Sequence, residues 1–360
     1  MDIIITAPSL DPEQNVSGVS SVVKFIIDNN KEHHYIHFEL GKRDRERGGV
    51  FRLFPLLKAL RQWKRLLNKT PNALVHYSFP LSAASVIRDS LFMWMVRRKG
   101  MKMIVHVHGG LYLTAEKIPW LQSCILKRVF KMPVPFVALS RTEVDTIKDK
   151  FGAKDVSSLP NCIELKEAKE FHREENRGTL HIGYLGRIAK TKGMDDLLEA
   201  CGKLKEEDIE FVLDIAGKEE YEGEYIPQFK ALLGNRFHYA GIVSGRSKED
   251  FLKALDIFVL PSHFEGLPMS LLESMSYGIV PVTTPVGSIP HYITGNVNGL
   301  FMKIKDAESL CYQVKRLNED RKLLHQMGIR AKETIFSSFS PELYVQKLNG
   351  LYQNVVENRV

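Results

Sequence analysis

The chain lacks the features that mark disulfide-stabilised, secreted and membrane-spanning proteins. Its 360 residues include four cysteines, and their scattered positions indicate neither a zinc site nor a disulfide framework: Cys124, Cys162, Cys201 and Cys311. The amino-terminal stretch has no basic region ahead of an apolar core, unlike a signal peptide. The longest other apolar run, 91–96, is far shorter than a membrane span. We therefore expect a protein of the reducing cytoplasm.

Negative charge is scarce in the first half of the chain. Residues 1–165 carry 25 Lys and Arg against 15 Asp and Glu, whereas the remaining residues carry 25 against 28. A basic half indicates an anionic partner. Because no nucleic-acid motif and no basic strand with interleaved aromatics is present, we expect no nucleic-acid partner. An anionic membrane surface is the better candidate.

Residues 52–69 form the candidate membrane contact. Apolar side chains recur there at helical spacing and make one stripe: Leu53, Leu56, Leu57, Leu60, Trp63 and Leu67. Basic side chains flank the stripe: Arg52, Lys58, Arg61, Lys64 and Arg65. A basic amphipathic helix with a tryptophan suits an anionic interface. The alternative is a helix that packs this stripe into a core and leaves its basic face in solvent, and the pattern leaves both open.

Short apolar runs alternate with helical patterns along the whole chain, which is typical of parallel α/β units. The runs expected to form strands are 3–7, 35–40, 73–77, 103–107, 136–139, 156–159, 181–186, 211–216, 238–241, 257–260 and 279–283. The segment 164–178 is rich in charge and poor in large apolar residues, so we expect an exposed linker there. Two doubly wound, Rossmann-like domains facing a deep cleft follow from this pattern, over 1–165 and 166–339. A final helix, capped by Ser340 and begun by Pro341, lies within 340–360.

The segment 261–299 is the most informative part of the chain. A strand-like run is followed by a turn with Gly266 and Pro268 and then by apolar residues at helical spacing. Glu265 is therefore expected just ahead of a helix, and Glu273 about two turns inside it. Loops beyond the carboxyl ends of parallel strands hold ligands, and a helix start offers free N–H groups to phosphate. Two carboxylates, which accept hydrogen bonds from hydroxyls, then indicate a ligand with diols and phosphate, such as a nucleotide sugar.

This segment resembles the E-x7-E region of the retaining GT-B glycosyltransferases of family four, the glycosyl transferases group 1. The likeness continues through Glu-Ser-Met-Ser-Tyr-Gly-Ile-Val-Pro-Val at 273–282 and Val-Gly-Ser-Ile-Pro at 286–290 to Asn-Gly-Leu at 298–300. It implies the GT-B fold, an acceptor site in the first domain, a nucleotide-sugar site in the second, and a last helix that crosses back to the first domain.

The same resemblance assigns roles to single residues. It implies that Glu265 binds the donor sugar and that Glu273 binds the ribose hydroxyls. It also places a short run of backbone close to the sugar and one loop residue close to the base: Gly266, Leu267 and Pro268 for the sugar, and Val243 for the base.

A second motif, Gly-Arg-Ile-Ala-Lys-Thr-Lys-Gly at 186–193, follows the first strand of the second domain and precedes an amphipathic helix. A strand–loop–helix junction with two cations is well placed to neutralise a diphosphate. In the family, the Arg and Lys of this motif contact the diphosphate, and here Arg187 and Lys192 hold those positions. They would stabilise the charge that develops on the leaving phosphate. A solvated basic loop is the alternative.

Two positions in the first domain complete the predicted site. Gly18 would let the backbone approach a ligand closely at the start of a helix, while the preceding Ser17 could serve only as an N-cap. His108 ends the strand at 103–107, and the resemblance places it near the donor sugar. The other histidines that we considered are expected to be structural: His76, His106 and His263.

No Asp-x-Asp sequence occurs in the chain. Metal-using enzymes of nucleotide sugars commonly hold the cation with that pair, because hard cations prefer oxygen ligands. We therefore expect neither a catalytic metal nor a cofactor, with Arg187 and Lys192 taking over the metal's electrostatic role.

The resemblance implies a retaining hexosyl- or N-acetylhexosaminyltransferase of bacterial surface-polysaccharide biosynthesis. Its donor would be UDP-linked, its acceptor a saccharide or a lipid-linked saccharide, and its place the inner face of the cell membrane. A front-face mechanism, assisted by the departing phosphate, is favoured for such enzymes. Two alternatives stay open at this point. One is a nucleotide-sugar epimerase of similar build, and the other is a non-enzymatic nucleotide- or glycan-binding membrane adaptor.

Overall fold

The computed structural model describes residues 1–15, 17–41, 53–115, 117–175 and 178–357. The chain divides into two compact units. Unit 1 comprises 1–162 and 341–360, and unit 2 comprises 163–340. These boundaries lie close to the expected ones at 165 and 340. The predicted membrane contact begins with Arg52, which lies outside the described residues.

Two parallel sheets organise the described residues. Their strands are β1 (Asp2–Ala7), β2 (His34–Glu39), β3 (Leu74–Phe79), β4 (Met103–Val107), β5 (Phe136–Ala138), β6 (Val156–Ser158), β7 (Leu180–Leu185), β8 (Phe211–Ala216), β9 (Phe237–Gly241), β10 (Ile257–Leu260), β11 (Val280–Thr283) and β12 (Leu300–Phe301). The first six form a sheet in the order β2-β1-β3-β4-β5-β6, and the last six form one in the order β12-β11-β10-β7-β8-β9. Every run that the sequence predicts to be a strand forms one. The short β12 was not predicted, because two residues carry no periodicity.

Helices connect these strands. They are α1 (Gly18–Asn29), α2 (Leu53–Lys69), α3 (Ala83–Arg98), α4 (Leu111–Thr114), α5 (Trp120–Phe130), α6 (Arg141–Phe151), α7 (Lys166–Glu170), α8 (Met194–Glu206), α9 (Ile226–Leu233), α10 (Gly245–Ala254), α11 (Met269–Ser276), α12 (Ala307–Glu319), α13 (Arg321–Ser338) and α14 (Pro341–Val356). Within the described ranges, no helix is both long and apolar enough to cross a membrane.

The centre of each sheet is covered on both faces, as a doubly wound sheet requires. In unit 1 every residue of β3 and β4 is buried. The helices α2, α3, α5 and α6 contribute large side chains to one continuous core, among them Trp63, Phe92, Phe130 and Ile147.

The last helix, α14, belongs to unit 1 although it follows unit 2 in the chain. The ring of Tyr344 lies edge-on to that of Phe25 at 5.5 Å between centroids. The side-chain amide of Asn30 donates to Asn349 Oδ1 at 2.6 Å. These contacts attach α14 to α1, so the helix returns to the first unit as the resemblance implies.

The predicted membrane contact of α2 is wrong in one respect. Most of its apolar stripe faces the core of unit 1, where Trp63 and Leu67 are fully buried and Leu56 and Leu60 pack against the same cluster, whereas Leu57 is exposed. The indole Nε1 of Trp63 donates to the backbone carbonyl of Phe92 at 3.2 Å. The tryptophan is therefore a core residue and is not available to a membrane.

Most described residues of the predicted linker over 164–178 are exposed, as expected. The segment nevertheless contains α7 and belongs to unit 2. Leu165 and Ala168 are buried around α7. Arg173 forms an ion pair with the buried Asp256 at 3.4 Å, and Lys332 donates to the backbone carbonyl of Phe171. A few apolar side chains and two cation contacts thus attach an otherwise exposed segment to unit 2, which its charge-rich sequence does not indicate.

Candidate functional site

The motif at 186–193 forms a tight loop between β7 and α8. It ends in a short 3-10 helix, Lys190–Lys192, and Gly193 then adopts a left-handed conformation with φ of +75°. A Cβ at Gly193 would lie 2.1 Å from the carbonyl oxygen of Pro261. The loop therefore packs directly on the end of β10, and only glycine permits this approach.

The structure brings Lys192 and Glu265 together. The Lys192 ammonium lies 2.6 Å from Glu265 Oε1, with 27% and 11% of the two side chains exposed. The hydroxyl of Ser262 donates to the same carboxylate oxygen at 2.7 Å. The two strongest motifs of the sequence thus form one charged site at the carboxyl ends of β7 and β10.

A second pair of contacts joins the same two loops. The backbone N–H of His263 donates to the carbonyl of Thr191 at 3.1 Å, and His263 Nε2 lies 2.9 Å from a carboxylate oxygen of Asp196. Asp196 lies in the first turn of α8. His263, expected to be structural, therefore ties the Glu265 loop to the helix that follows Lys192.

Arg187 lies at the start of the same loop, two residues after β7. The hydroxyl of the buried Tyr184 donates to the backbone carbonyl of Arg187 at 2.6 Å. Burial raises the pKa of Tyr184 well above its usual range, the Glu265 carboxylate adds to that rise, and the Arg187 guanidinium opposes it. Tyr184 thus fixes the backbone of Arg187 in the loop that also carries Lys192. The role of the Arg187 guanidinium toward a diphosphate stays a prediction.

The loop before α11 is held by its backbone. Gly287 has φ of +59°, and a Cβ there would lie 2.2 Å from the carbonyl oxygen of Glu265. The N–H of Ser288 donates to the carbonyl of Gly266 at 2.9 Å. Leu267 is buried, and Pro268 precedes the helix, whose start has no side-chain cap. The first N–H groups of α11 are therefore not used by a capping side chain, which is what an anion site needs.

Glu273 lies nearer the start of α11 than expected. The helix begins at Met269, so Glu273 is its fifth residue, a little over one turn inside rather than about two. Its Oε1 lies 2.7 Å from the Lys248 ammonium. The Glu273 carboxylate raises the pKa of Lys248. Val243, expected near the base, lies half-buried in the loop before α10, the helix that carries Lys248.

Sequence reasoning missed Lys248, Ser262 and Asp196. Lys248 precedes Glu273 by 25 residues, and the spacing gives no sign that the two meet. Ser262 adjoins the E-x7-E segment, so its proximity to Glu265 was available as a signal. Asp196 offered only its place in a helix first turn, which suits a carboxylate in any helix.

Gly18 and His108 belong to unit 1. Gly18 is the first residue of α1, and Ser17 caps the helix by accepting from the N–H of Ser20. A Cβ at Gly18 would meet no atom within 4 Å, so packing within the protein does not require glycine there. The roles of both residues toward a donor stay predictions.

His108 follows β4, and its ring is tilted by 33° against that of His106, with 4.2 Å between the ring centroids. Burial, and then the neighbouring His106 and His76, lower the pKa of His108 well below its usual range. Among the described residues its Nε2 has no hydrogen-bond partner. A neutral imidazole with a free nitrogen can donate a hydrogen bond to a hydroxyl or accept one from it. Because it is uncharged, it does not neutralise a phosphate.

Within the described ranges, no group of three or more His, Cys, Asp or Glu side chains is arranged to hold a metal ion. All four cysteines are free thiols.

Comparisons with known proteins bear on the family and the fold. The model of the family described as glycosyl transferases group 1 matches residues 166–334. The N,N'-diacetylbacillosaminyl-diphospho-undecaprenol alpha-1,3-N-acetylgalactosaminyltransferase of Campylobacter jejuni is 30% identical over 201 residues, which are 56% of this chain and 52% of that protein. The chain thus spans about half the length of that relative.

Two solved structures share the fold. Sucrose-phosphate synthase from Thermosynechococcus elongatus superposes with a TM-score of 0.79 at 16% identity, covering 99% of both chains. Anabaena Alr3699/HepE in complex with UDP-glucose superposes with a TM-score of 0.74 at 14% identity, covering 98% of this chain and 100% of that one. None of these names denotes an epimerase or an adaptor, so neither alternative is favoured. Residues 166–334 therefore match the glycosyl transferases group 1, and the two units have the GT-B fold of these structures.

Proposed function

We propose that this glycosyltransferase is retaining and metal-independent, and that it transfers a hexosyl or N-acetylhexosaminyl unit from a UDP-linked sugar. The acceptor is a saccharide or a lipid-linked saccharide of bacterial surface-polysaccharide biosynthesis, met in the cytoplasm at the inner face of the membrane. The observation that carries the proposal is the ion pair between Lys192 and Glu265 at 2.6 Å, beside the starts of α8 and α11.

The ion pair supplies both halves of donor recognition. A diphosphate competes with the Glu265 carboxylate for the Lys192 ammonium, because both are anions that accept from it. Once Lys192 contacts phosphate, Glu265 is released to accept hydrogen bonds from sugar hydroxyls. Ser262 holds the carboxylate in place during this exchange, since it donates to the same oxygen.

Bond cleavage follows from the same arrangement. As the glycosidic bond of the donor breaks, negative charge builds up on the departing phosphate, and Lys192 and Arg187 stabilise it from fixed positions. In a retaining front-face reaction that phosphate also accepts the proton of the attacking hydroxyl, so the site needs no protein nucleophile. Glu273, held by Lys248, remains available to bind the ribose through its second oxygen.

Relatives support the substrate classes. Alr3699/HepE was solved with UDP-glucose, and the Campylobacter jejuni relative is named for an acceptor on diphospho-undecaprenol and for an N-acetylgalactosaminyl product. A UDP-linked donor and a lipid-linked acceptor are therefore the first substrates to test.

Replacement of Lys192 by Ala should lower kcat about a hundredfold or more, because one preorganised donor to the developing charge is lost. Glu265→Gln should lower activity to a similar degree, since the ion pair and the sugar contact are both weakened. A matched control is Lys190→Ala in the same loop, because the side chain of Lys190 is 76% exposed and forms an ion pair with the surface residue Asp195. We expect its activity to stay within about twofold.

A screen of UDP-sugars for thermal stabilisation should come first, because a ligand bound only by the folded protein raises its melting temperature. NMR of the product then reads the anomeric configuration, and EDTA tests the metal requirement. An inverted product, or activity abolished by EDTA and restored by Mg²⁺, would contradict the corresponding part of the proposal. Full activity of Lys192→Ala would contradict the central claim of the proposal, that Lys192 stabilises the departing phosphate.

A further inference from the structure

Helix α3 is apolar on two opposite faces. Its inner face carries Val86, Met93 and Val96 into the core of unit 1. Its outer face exposes Ile87, Leu91 and Trp94, and the tryptophan is 51% exposed. The guanidinium of Arg98 lies 4.6 Å from the centre of the Trp94 ring.

These outer residues form one narrow line along the helix. At about 100° per residue, Ile87, Leu91, Trp94 and Arg98 fall within a sector of about 60°. A helix of a globular protein needs a single apolar face to pack, so the outer apolar line is unexplained by the fold. We call it the α3 ridge.

The neighbouring helix α2 presents a different outward line. Phe54 is 81% exposed near its start, and Lys58, Arg61 and Arg65 follow on the same side of the helix, all exposed. The opposite side carries Trp63, whose indole donates to the carbonyl of Phe92 in α3. The two helices are therefore packed together, with a basic line beside the α3 ridge.

Helix α5 packs on the other side of α3. It begins with Trp120, which is 79% exposed, and Leu121, which is also exposed. Its last turn and the residue after it expose Lys127, Arg128 and Lys131. The outward surface of these three helices thus combines two exposed tryptophans, exposed aliphatic side chains and cations.

Negative charge is nearly absent from this part of the chain. Residues 53–131 contain 14 Lys and Arg against two Asp and Glu. Of the two, Asp89 is fully buried and bonded to Arg88 at 2.5 and 3.0 Å, and Glu116 lies outside the described residues. No described carboxylate of this segment therefore offsets the exposed cations.

We propose that the outward surface of α2, α3 and α5 binds an anionic lipid bilayer. Trp94, Trp120 and the aliphatic side chains of the α3 ridge enter the boundary between headgroups and acyl chains, where tryptophan is favoured. Arg61 and Arg65 contact lipid phosphates, each strengthening the attraction to an anionic surface. This contact keeps the cations Arg61 and Arg65 of the one predicted for 52–69 but takes its tryptophans from α3 and α5, because Trp63 lies in the core.

Two other occupants fit the surface less well. Nucleic acid would use the cations but gives no role to Ile87 and Leu91, which cannot stack on bases. A second copy of the chain would bring two surfaces of the same charge together, which is repulsive. The bilayer alone uses both the cations and the aliphatic side chains.

Sedimentation with vesicles tests the proposal. We expect binding to vesicles of phosphatidylcholine with phosphatidylglycerol, weak binding to phosphatidylcholine alone, and a loss of affinity as salt is raised. Leu91→Ser with Trp94→Ser, and separately Arg61→Glu with Arg65→Glu, should each lower the partition coefficient about tenfold or more. The control is Tyr221→Ser with Tyr312→Ser, which removes aromatic side chains of similar exposure from unit 2 and should change nothing.

Fluorescence locates the contact. The chain has three tryptophans, so Trp120→Phe leaves Trp94 exposed and Trp63 in the core. Emission of Trp94 should shift to the blue with anionic vesicles and be quenched by brominated acyl chains. The UDP response belongs to unit 2 and is measured in parallel. Vesicle binding without a UDP response would contradict only the proposed donor. A UDP response without vesicle binding would contradict only the membrane surface.

Three results would overturn the surface assignment. One is equal binding of the protein to neutral and anionic vesicles. Another is unchanged vesicle binding by both double variants. Should the Leu91→Ser, Trp94→Ser variant misfold, unchanged binding by the Arg61→Glu, Arg65→Glu variant is sufficient, because both arginines are exposed. The third is weak or absent binding of the native protein to vesicles, together with a different partner for the same surface. That partner would be an oligonucleotide, or a second copy of the chain in a lipid-free dimer, and the same variants would abolish the complex.

Discussion

Glu143 shows how a buried carboxyl is held in unit 1. It lies in the first turn of α6, where its Oε2 accepts from the N–H of Leu139 at 2.9 Å and its own N–H donates to Ser140 Oγ at 3.2 Å. Burial raises its pKa to about 7, although the hydrogen bond from Leu139 acts in the opposite direction. The group therefore titrates within the range of ordinary buffers.

This shift predicts a pH dependence of stability. The folded carboxyl holds its proton more tightly than the unfolded one, so its contribution is fully present below about pH 4.5 and is lost as pH rises to about 7. Glu143→Gln keeps an acceptor for Leu139 and removes the titration. We expect the variant to be more stable than the native protein by about 2 kcal/mol at pH 8, and to lose the slope between pH 5 and 7.

Urea unfolding at pH 5 and pH 8, followed by tryptophan fluorescence, measures this effect, because all three tryptophans lie in unit 1. The exposed Glu32→Gln serves as the matched control in the same unit. Equal slopes for the native protein and Glu143→Gln would show that Glu143 does not titrate as its burial requires.

Residue-scale features of the donor site were only partly readable from the sequence. The types and spacing of these residues could be recognised, because Arg187, Lys192 and Glu265 lie in loops after strand ends and Glu273 lies in the helix that follows. The partners of these residues could not be recognised. The Lys192–Glu265 contact joins positions 73 residues apart and depends on the order of β7 and β10 in the sheet.

At the scale of elements, close backbone contacts fix the loops of the site. Gly193 is the joint between the cationic loop and α8, and it packs on Pro261 at the end of β10. Gly193→Ala should force the loop outward, since its Cβ would lie 2.1 Å from a carbonyl oxygen and the left-handed backbone would be strained. We expect a loss of about 1–3 kcal/mol in the stability of unit 2 and at least tenfold weaker UDP binding.

The chain offers a control within the same helix. Gly202 lies inside α8 with open space around its Cβ position, so Gly202→Ala should stabilise the protein by about 0.5–1 kcal/mol and leave UDP binding unchanged. Calorimetry with and without UDP compares the two variants. UDP binding by Gly193→Ala at native strength would show that the loop position does not matter for the ligand.

Helix α2 shows the limit of pattern reading at this scale. The period of its apolar side chains correctly groups Leu56, Leu60, Trp63 and Leu67 on one face, but the same period is expected whether a core or a bilayer covers that face. What decided the matter was the neighbouring α3, whose Phe92 contacts Trp63. The α3 ridge went unnoticed, because a helix that is apolar all round gives no amphipathic signal.

At the scale of the whole molecule, the two units fold around separate sheets. This division could be predicted, because each sheet corresponds to its own series of apolar runs in the sequence. The attachment of 164–175 to unit 2 could not be predicted from the sequence, because it depends on a few buried side chains within a charged segment. The return of α14 to unit 1 came from the resemblance, since its helical pattern does not say which unit it packs against.

The last helix completes the polar interior of unit 1. The hydroxyl of Tyr352 lies 2.6 Å from His76 Nδ1, and His76 Nε2 lies 3.2 Å from His106 Nδ1. Burial lowers the pKa of His76 and His106, so these rings stay neutral and depend on hydrogen bonds for their stability. Without α14 the His76 ring and the amide of Asn30 would each lose a buried partner.

A chain that ends at Ser340 should therefore unfold in unit 1 but keep a cooperative transition of unit 2 that UDP raises. Unpartnered buried polar groups cost about 1–3 kcal/mol each, and the removed helix also uncovers apolar surface. Tyr352→Phe is the milder test, since it removes only the hydroxyl and should lower the stability of unit 1 by about 1–2 kcal/mol. Tryptophan emission reports unit 1 and the UDP-dependent melt reports unit 2. If both units lost their transitions in the shortened chain, or if Tyr352→Phe were as stable as the native protein, α14 would not act on unit 1 in the way its contacts indicate.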